Sequence, residues 1–416
     1  MLLEGYKPFT SPIGKGHRGI INGTNSFHLI QTCPSSSARA GELVTPHGIV
    51  PTPVFSPVGS QATVKTMTPE ELKNIGITMV VANTYHIYLR PGISVIETIG
   101  GLHQFMAWDR TILTDSGGYQ IFSLARLREV SDQGVTFRSH IDGSQHLITP
   151  ESVIQFQESL GADVIMVLDE CPSYTDSLEE VRQATERTHR WAERCQRSQS
   201  RSDQALFAIV QGGVFPELRR KSASFLTSLG FSGYAIGGLS LGEPKVLTQA
   251  IVEETVAWLP ESKPRYLMGV GSPEDIVKCV TKGIDIFDSA LPTQVARKGA
   301  LFTWQGRYNI RNSSYSQMRE PIDPDCDCYT CRNFSVAYLH HLFKCQELLA
   351  YRLATIHNLN FMNTLMNRIR NAIVNGTFST FRDSFLANYQ PTDDNLRLAQ
   401  KQKWLDAWNH RKVSKS

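Results

Sequence analysis

Nothing in this sequence approaches 18 uninterrupted apolar residues, the length a helix needs to cross a bilayer. The stretch from Met1 to Lys15 lacks the apolar core of a secretory signal. There is little excess of either charge: 42 Lys and Arg against 39 Asp and Glu leave +3, which permits a nucleic-acid partner without arguing for one. The eight cysteines do not make a disulfide framework. Cys33, Cys171, Cys195, Cys279 and Cys345 are scattered, whereas Cys326, Cys328 and Cys331 fall within six residues. That usage fits a reducing cytoplasm and one metal site. With 416 residues, 41% hydrophobic and 19% charged, the chain can bury a sizeable core unaided.

What is present is a regular alternation. Short apolar runs, each closed by a small or polar residue, occur at Pro53–Gly59, Met79–Asn83, Thr111–Asp115, Asp163–Asp169, Ala205–Gln211, Gly233–Gly237, Arg265–Gly269 and Gly283–Asp288. Between them lie helix-start signals: Thr68-Pro69-Glu70-Glu71, Thr149-Pro150-Glu151 and Ser272-Pro273-Glu274-Asp275. Eight buried strands alternating with helices imply a parallel sheet closed into a (β/α)8 TIM barrel. A doubly wound open sheet is the alternative, but Val58-Gly59-Ser60-Gln61 after the first run is not a glycine-rich phosphate loop. The organisation expected is a flexible leader over 1–26 and a catalytic barrel over 27–300. A zinc-binding subdomain with closing helices over 301–375 and a helical, basic extension over 376–416 follow. In the last twenty residues six Lys or Arg stand against one Asp, and Trp404 and Trp408 are four apart.

Catalytic groups of a barrel sit where strands end. Here Asp115 ends one run and leads into Ser116-Gly117-Gly118-Tyr119-Gln120. Asp169, Gln211, the Gly237-Gly238 pair and Asp288 end others. Each Asp alone is explained as well by capping the helix that follows. Several acids and an amide converging on one rim are not, because carboxylates beside apolar runs cost desolvation unless used. Asp and Gln can read the edge of a purine, a Gly pair lets backbone approach a flat ligand, and Tyr119 can stack on it. A carboxylate nucleophile also suits chemistry at a sugar anomeric carbon. In the cysteine cluster three thiolates call for a fourth zinc ligand, with His340, His341, Cys345 and His357 as candidates that spacing does not separate. The site reads as structural, far in sequence from the strand-end acids.

These motifs, together with Asn83-Thr84-Tyr85-His86, Leu113–Leu124, Asp169-Glu170-Cys171-Pro172, Val210-Gln211-Gly212-Gly213, Tyr234–Glu243, Tyr266–Gly271 and Phe287–Thr293, resemble those of bacterial tRNA-guanine transglycosylase, also called queuine tRNA-ribosyltransferase. The resemblance runs from Phe27 to at least Ile373. It implies an irregular (β/α)8 barrel carrying a zinc subdomain, and base exchange at the wobble guanosine of tRNAs with a G-U-N anticodon (those for Asp, Asn, His and Tyr), in queuosine biosynthesis. By this resemblance Asp288 is the nucleophile that holds a covalent tRNA intermediate, and Asp115 handles the proton of the base. Ser116, Gly117, Gly118, Asp169, Gln211, Gly238 and Leu239 bind the base, with Tyr119 and Met268 sandwiching it and Glu243 behind the Gly238-Leu239 peptide. Gly269, Val270, Gly271, Ser272, Pro273, Glu274 and Asp275, with Thr293, Gln294, Val295, Ala296 and Arg297, hold the anticodon stem-loop. Cys326, Cys328, Cys331 and His357 hold one structural Zn2+. A cytoplasmic homodimer is implied, with no membrane.

The sequence departs from that pattern at Gln294, where bacterial relatives usually carry Arg. Leu241 stands where bacterial members tend to have Val and eukaryotic ones Gly. Leu241 with Cys171 therefore favours the smaller incoming base, 7-aminomethyl-7-deazaguanine, over queuine. A non-catalytic partner subunit of such an enzyme and a generic glycoside hydrolase are the rival readings. The first is opposed by the presence of all four of Asp115, Asp169, Gln211 and Asp288, the second by the base-binding groups and the thiolates.

Overall fold

A computed structural model describes residues 25–124 and 128–391. The leader up to residue 24, and the tail from 392 that carries Trp404 and Trp408, lie outside the described residues.

Eight parallel strands close into a barrel: β1 Val54–Gly59, β2 Met79–Asn83, β3 Thr111–Asp115, β4 Val164–Met166, β5 Ala205–Val210, β6 Gly233–Ile236, β7 Arg265–Leu267 and β8 Ile286–Ser289. Each pairs with the next, and β8 returns to β1 with Phe287 opposite Phe55. Strands such as Ala205–Val210 are buried along their whole length, as a sheet covered on both faces requires. The starts of helices Pro69–Asn74 and Pro150–Leu160 carry reciprocal Thr68 and Thr149 caps. The start at Ser272 differs. Its hydroxyl bonds the Asp275 carboxylate and caps no backbone N–H of helix Pro273–Thr281.

The strands expected at Asp163–Asp169 and Gly283–Asp288 begin later than their apolar runs, at Val164 and Ile286, because their first acids do other work. A three-stranded antiparallel sheet, Phe27–Thr32, Arg39–Thr45 and Gly48–Thr52, lies across the N-terminal end of the barrel. Arg39 donates to Asp285 at 2.9 and 2.5 Å just ahead of β8. Thr45 meets Thr111 at the start of β3. His47 donates to Asp163 ahead of β4 at 2.7 Å. These acids therefore tie the floor to the barrel.

A second antiparallel sheet, Arg128–Val130, Val135–Arg138 and Gln145–Ile148, is inserted between β3 and helix Pro150–Leu160. After β8 the chain makes helix Leu291–Arg297, a hairpin of Ala300–Thr303 with Gly306–Asn309, and helices Tyr329–Asn333 and Val336–Cys345. It turns through Gln346, in left-handed conformation, into the 27-residue helix Leu348–Val374. That helix returns to β1 and helix Pro273–Thr281, so the cysteine-bearing excursion interrupts the last βα unit. Among the described residues no helix is long and apolar enough to cross a membrane.

Candidate active site

The C-terminal ends of the strands surround a cavity of about 330 Å³. Asp115, Ser116, Gly117, Gly118, Tyr119, Asp169, Gly238, Leu239, Met268 and Asp288 all line it, as do Asn83, His86, Cys171, Leu241 and Tyr266. Gln211 is fully buried and reaches the cavity through Asp169, to which its Nε2 donates at 2.6 Å.

The three carboxylates differ in their surroundings. Asp115 accepts from Asn83 Nδ2 at 2.5 Å and from the Thr84 N–H at 3.0 Å. Asn83 ends the neighbouring strand and stands opposite Asp115 in register, and its Oδ1 caps helix Thr84–Leu89 through the His86 N–H. Burial nonetheless raises Asp115 to about 7, against the Thr84 donor and with the charges of Asp288 and Asp169 adding to the rise. Burial lifts Asp169 to about 6, although Gln211 and Ser116 donate to it. Asp288 is also raised by burial, opposed by Tyr266 and Gly269. Both of those donors, the Tyr266 hydroxyl at 2.7 Å and the Gly269 N–H at 2.9 Å, fall on Oδ1 and none among the described residues on Oδ2, in a side chain that lines the cavity. Two of the carboxylates thus titrate near neutrality within one cleft, the condition of an acid–base site.

The glycines are there for closeness. A Cβ on Gly118 would stand 2.7 Å from the Asp169 carbonyl oxygen, and one on Gly238 would stand 2.4 Å from Gln211 Oε1. Glu243 is buried behind this wall and gathers the N–H groups of Ser240, Leu241 and Gly242 together with the Thr248 hydroxyl. Burial pushes Glu243 up, but these donors outweigh it and hold the carboxylate below its ordinary range.

The two segments expected to hold the anticodon are divided by burial. Val270, Gly271, Pro273, Glu274, Thr293 and Ala296 are buried, and Glu274 and Asp275 pair with Lys245 at 2.7 and 2.8 Å. Gly269 and Gln294 are exposed. Arg297 is half-buried, with an Nη1 that has no partner among the described residues. Asn83, Thr84 and Tyr266 stood in the quoted motifs without a role. Their signal was position, since Asn83 ends a strand just as Asp115 does.

Away from the cavity, Cys326, Cys328 and Cys331 bring their sulfurs to 3.7, 3.8 and 3.3 Å from His357 Nδ1. A tetrahedral zinc with sulfur at about 2.3 Å and nitrogen at about 2.0 Å sets sulfur–nitrogen separations of roughly 3.5 Å. The donors therefore fit one metal ion. The His357 Nε2–H donates to the Phe302 carbonyl at 2.7 Å, which turns the Nδ1 lone pair toward the sulfurs. His340 is spent on the Ile310 carbonyl, and His341 lies beside Cys345.

A second group, His47, His103 and Asp163, lies at the opposite end of the barrel. Its imidazoles stack at 3.5 Å with 19° between planes. A metal lying in one ring plane is then well out of the other, so this cluster is read as a clamp on the floor sheet.

Residues 33–391 match the family described as Queuine tRNA-ribosyltransferase. The chain is 60% identical to the Queuine tRNA-ribosyltransferase of Dehalococcoides mccartyi over 382 residues, 92% of this chain and 97% of that one. It is 55% identical to the protein of that name from Moorella thermoacetica and 54% identical to that from Halothermothrix orenii. Each match covers 364 residues, 88% of this chain and 98% of the relative.

Proposed function

The chain belongs to the queuine tRNA-ribosyltransferase family and is a pentosyltransferase acting on tRNA and a guanine-like base; we propose that it exchanges the wobble guanine of G-U-N anticodon tRNAs for 7-aminomethyl-7-deazaguanine through a covalent Asp288–ribose intermediate. The observation that carries this is the pair of unlike carboxylates on one cavity. Asp288 has one oxygen held by two donors, and Asp115 is poised near neutrality.

In this reading Asp288 Oδ2 attacks the ribose anomeric carbon as the bond to guanine breaks. The departing guanine keeps the bonding electrons and takes a proton from Asp115. The incoming base then gives its ring N–H proton to Asp115, and its nitrogen displaces Asp288 from the same carbon. A group near pH 7 suits both transfers. Asp169 accepts from the ring N–H and amino group of the base, while Gln211 and the Gly238 N–H face its carbonyl. Tyr119 and Met268 close the two faces. Leu241 and Cys171 on the cavity wall limit the substituent, which supports the aminomethyl base over queuine.

Cys326, Cys328, Cys331 and His357 would hold a structural zinc, which cross-links the excursion to helix Leu348–Val374. Gln294 and Arg297 are the exposed and half-exposed side chains of helix Leu291–Arg297 best placed to meet anticodon phosphate or base. Exposed large apolar side chains, among them Val95, Ile99 and Phe105 and, in the zinc-bearing segment and the helix after it, Tyr329, Tyr338, Leu348 and Leu349, support a homodimer. None of the eight cysteines is paired in a disulfide, in keeping with the cytoplasm.

Exchange of labelled guanine into unmodified tRNA tests the proposal, with queuine and the aminomethyl base offered in parallel. Asp288→Ala should abolish exchange and the covalent adduct. Normal turnover in that variant sinks the assignment, and preference for queuine overturns the choice of base.

A further inference from the structure

Arg219 is one of the most deeply buried side chains of the molecule, at 1% exposure, and it forms no ion pair among the described residues. It lies on helix Pro216–Leu229, behind the end of β5. Its Nε–H donates to the Gly213 carbonyl at 2.9 Å and its Nη1–H to the Val210 carbonyl at 2.7 Å. Its Nη2 has no partner among the described residues, and neither has the Oε1 of Gln211. Both atoms stand within 4 Å of where a Gly238 Cβ would be. Glu243 is the carboxylate whose charge bears on the guanidinium, and the Gln211 amide and the Gly238 N–H lie beside the Cys171 sulfur, whose thiol burial keeps neutral.

A guanidinium in such a place is costly. Burying a charge without a paired counter-charge is strongly unfavourable, and a neutral donor side chain could meet the same two carbonyls without that penalty. Holding the Gly212-Gly213 turn needs two N–H donors but no charge. What the charge adds is a positive potential directly behind the two groups that face the carbonyl edge of the base, in a place where water does not screen it.

We propose that Arg219 is a specificity-determining positioning residue, which holds Gln211 and the Gly238 peptide from behind and makes the pocket select a base with a carbonyl at that edge over one with an amino group. The inference rests on the base-exchange reading above. Arg219 touches no substrate. It sets the orientation of the Gln211 amide by occupying the space beside Oε1, so that Nε2 remains the atom turned to the cavity side. It also strengthens the Gly238 N–H as a donor. An amino group in place of the carbonyl would set donor against donor in front of a fixed positive charge.

Guanine exchange into tRNA, with 2,6-diaminopurine as competitor, measures this. In Arg219→Met the KM for guanine should rise about tenfold or more, and discrimination against 2,6-diaminopurine should fall by a similar factor. The kcat and the KM for tRNA should stay within about threefold. Arg219→Lys, which keeps the charge and loses the fork, should restore most of the discrimination. Unchanged discrimination in Arg219→Met, or a parallel loss of kcat and both KM values together with a lowered melting temperature, overturns the proposal. If Arg219→Met does not fold, Arg219→Lys decides alone. A several-fold higher KM for guanine with discrimination kept supports the proposal, and lost discrimination or an unchanged KM refutes it. Absence of guanine exchange by the unaltered enzyme would instead defeat the parent reading.

Discussion

Replacing Gly118 by Ala probes the base pocket with a single methyl group. The Gly118 backbone is not in the left-handed region, so alanine can adopt its conformation without strain. The methyl would lie 2.7 Å from the Asp169 carbonyl oxygen and 2.8 Å from its Oδ1. An ordinary contact is roughly 3.5 Å, so the segment that follows β4 has to give way by about 0.8 Å. One obstacle is main chain, which moves only with the segment that carries it. Asp169 would carry its carboxylate out of line with the base while Asp115 and Asp288, on other strands, stay in place. A misaligned hydrogen bond to a charged group costs about 1.5–3 kcal/mol, which is roughly 10- to 150-fold in the KM for the base. The KM for tRNA should change by less than about threefold, because the atoms nearest the methyl belong to Asp169 and Ser116 and to no residue of helix Leu291–Arg297. The assay is steady-state guanine exchange with each substrate varied in turn, beside a thermal melt. A guanine KM within twofold of the unaltered enzyme would refute the reasoning, as would a rise that tracks equally in both substrates.

Three further outcomes follow from the acids and the thiols. Asp115 is raised to about 7, so in single turnover the displacement of Asp288 by the incoming base should speed up as pH rises through about 7, and a flat profile from pH 5.5 to 8.5 would contradict its role as proton acceptor. The same shift is a stability cost. Below the unfolded value near pH 4 both states hold the proton and the cost is absent, and it grows as pH rises toward 7, so Asp115→Asn should lose exchange yet melt higher at pH 8, by about 1–3 kcal/mol of stability; an equal or lower melting point would refute this. Cys328→Ala should cut bound zinc from about one per chain to near zero and loosen helix Leu348–Val374 in hydrogen exchange. Full zinc content in that variant would refute the ligand set.

How much of this could be read from the sequence depended on whether a residue's role is set by its own strand or by a neighbour's. The barrel was legible because eight apolar runs stop at small or polar residues, and Asp115, Asp169 and Asp288 were legible as the acids at those stops. The acids at strand starts misled, since Asp163 and Asp285 extend the apolar runs on paper but serve the floor sheet in space. That sheet was not legible because its first strand is exposed along most of its length and lacks a buried alternation. Asn83 and Tyr266 act on carboxylates of adjacent strands, a relation fixed by barrel register and by no local spacing.

Arg219 carries a signal in its own helix. In Leu218-Arg219-Arg220-Lys221 the three basic residues look alike, and a basic run on a helix is ordinarily a solvated face. Yet Ser222, Ala223 and Leu226 are buried at three, four and seven positions beyond Arg219, the spacing of one inward helix face. Arg220, rotated by about 100° from it, is exposed and pairs with Glu217. Periodicity alone therefore sorts the run into one buried cation and two surface ones. The buried one is the exception that needs a reason, and the base pocket on the far side of Gly238 supplies it.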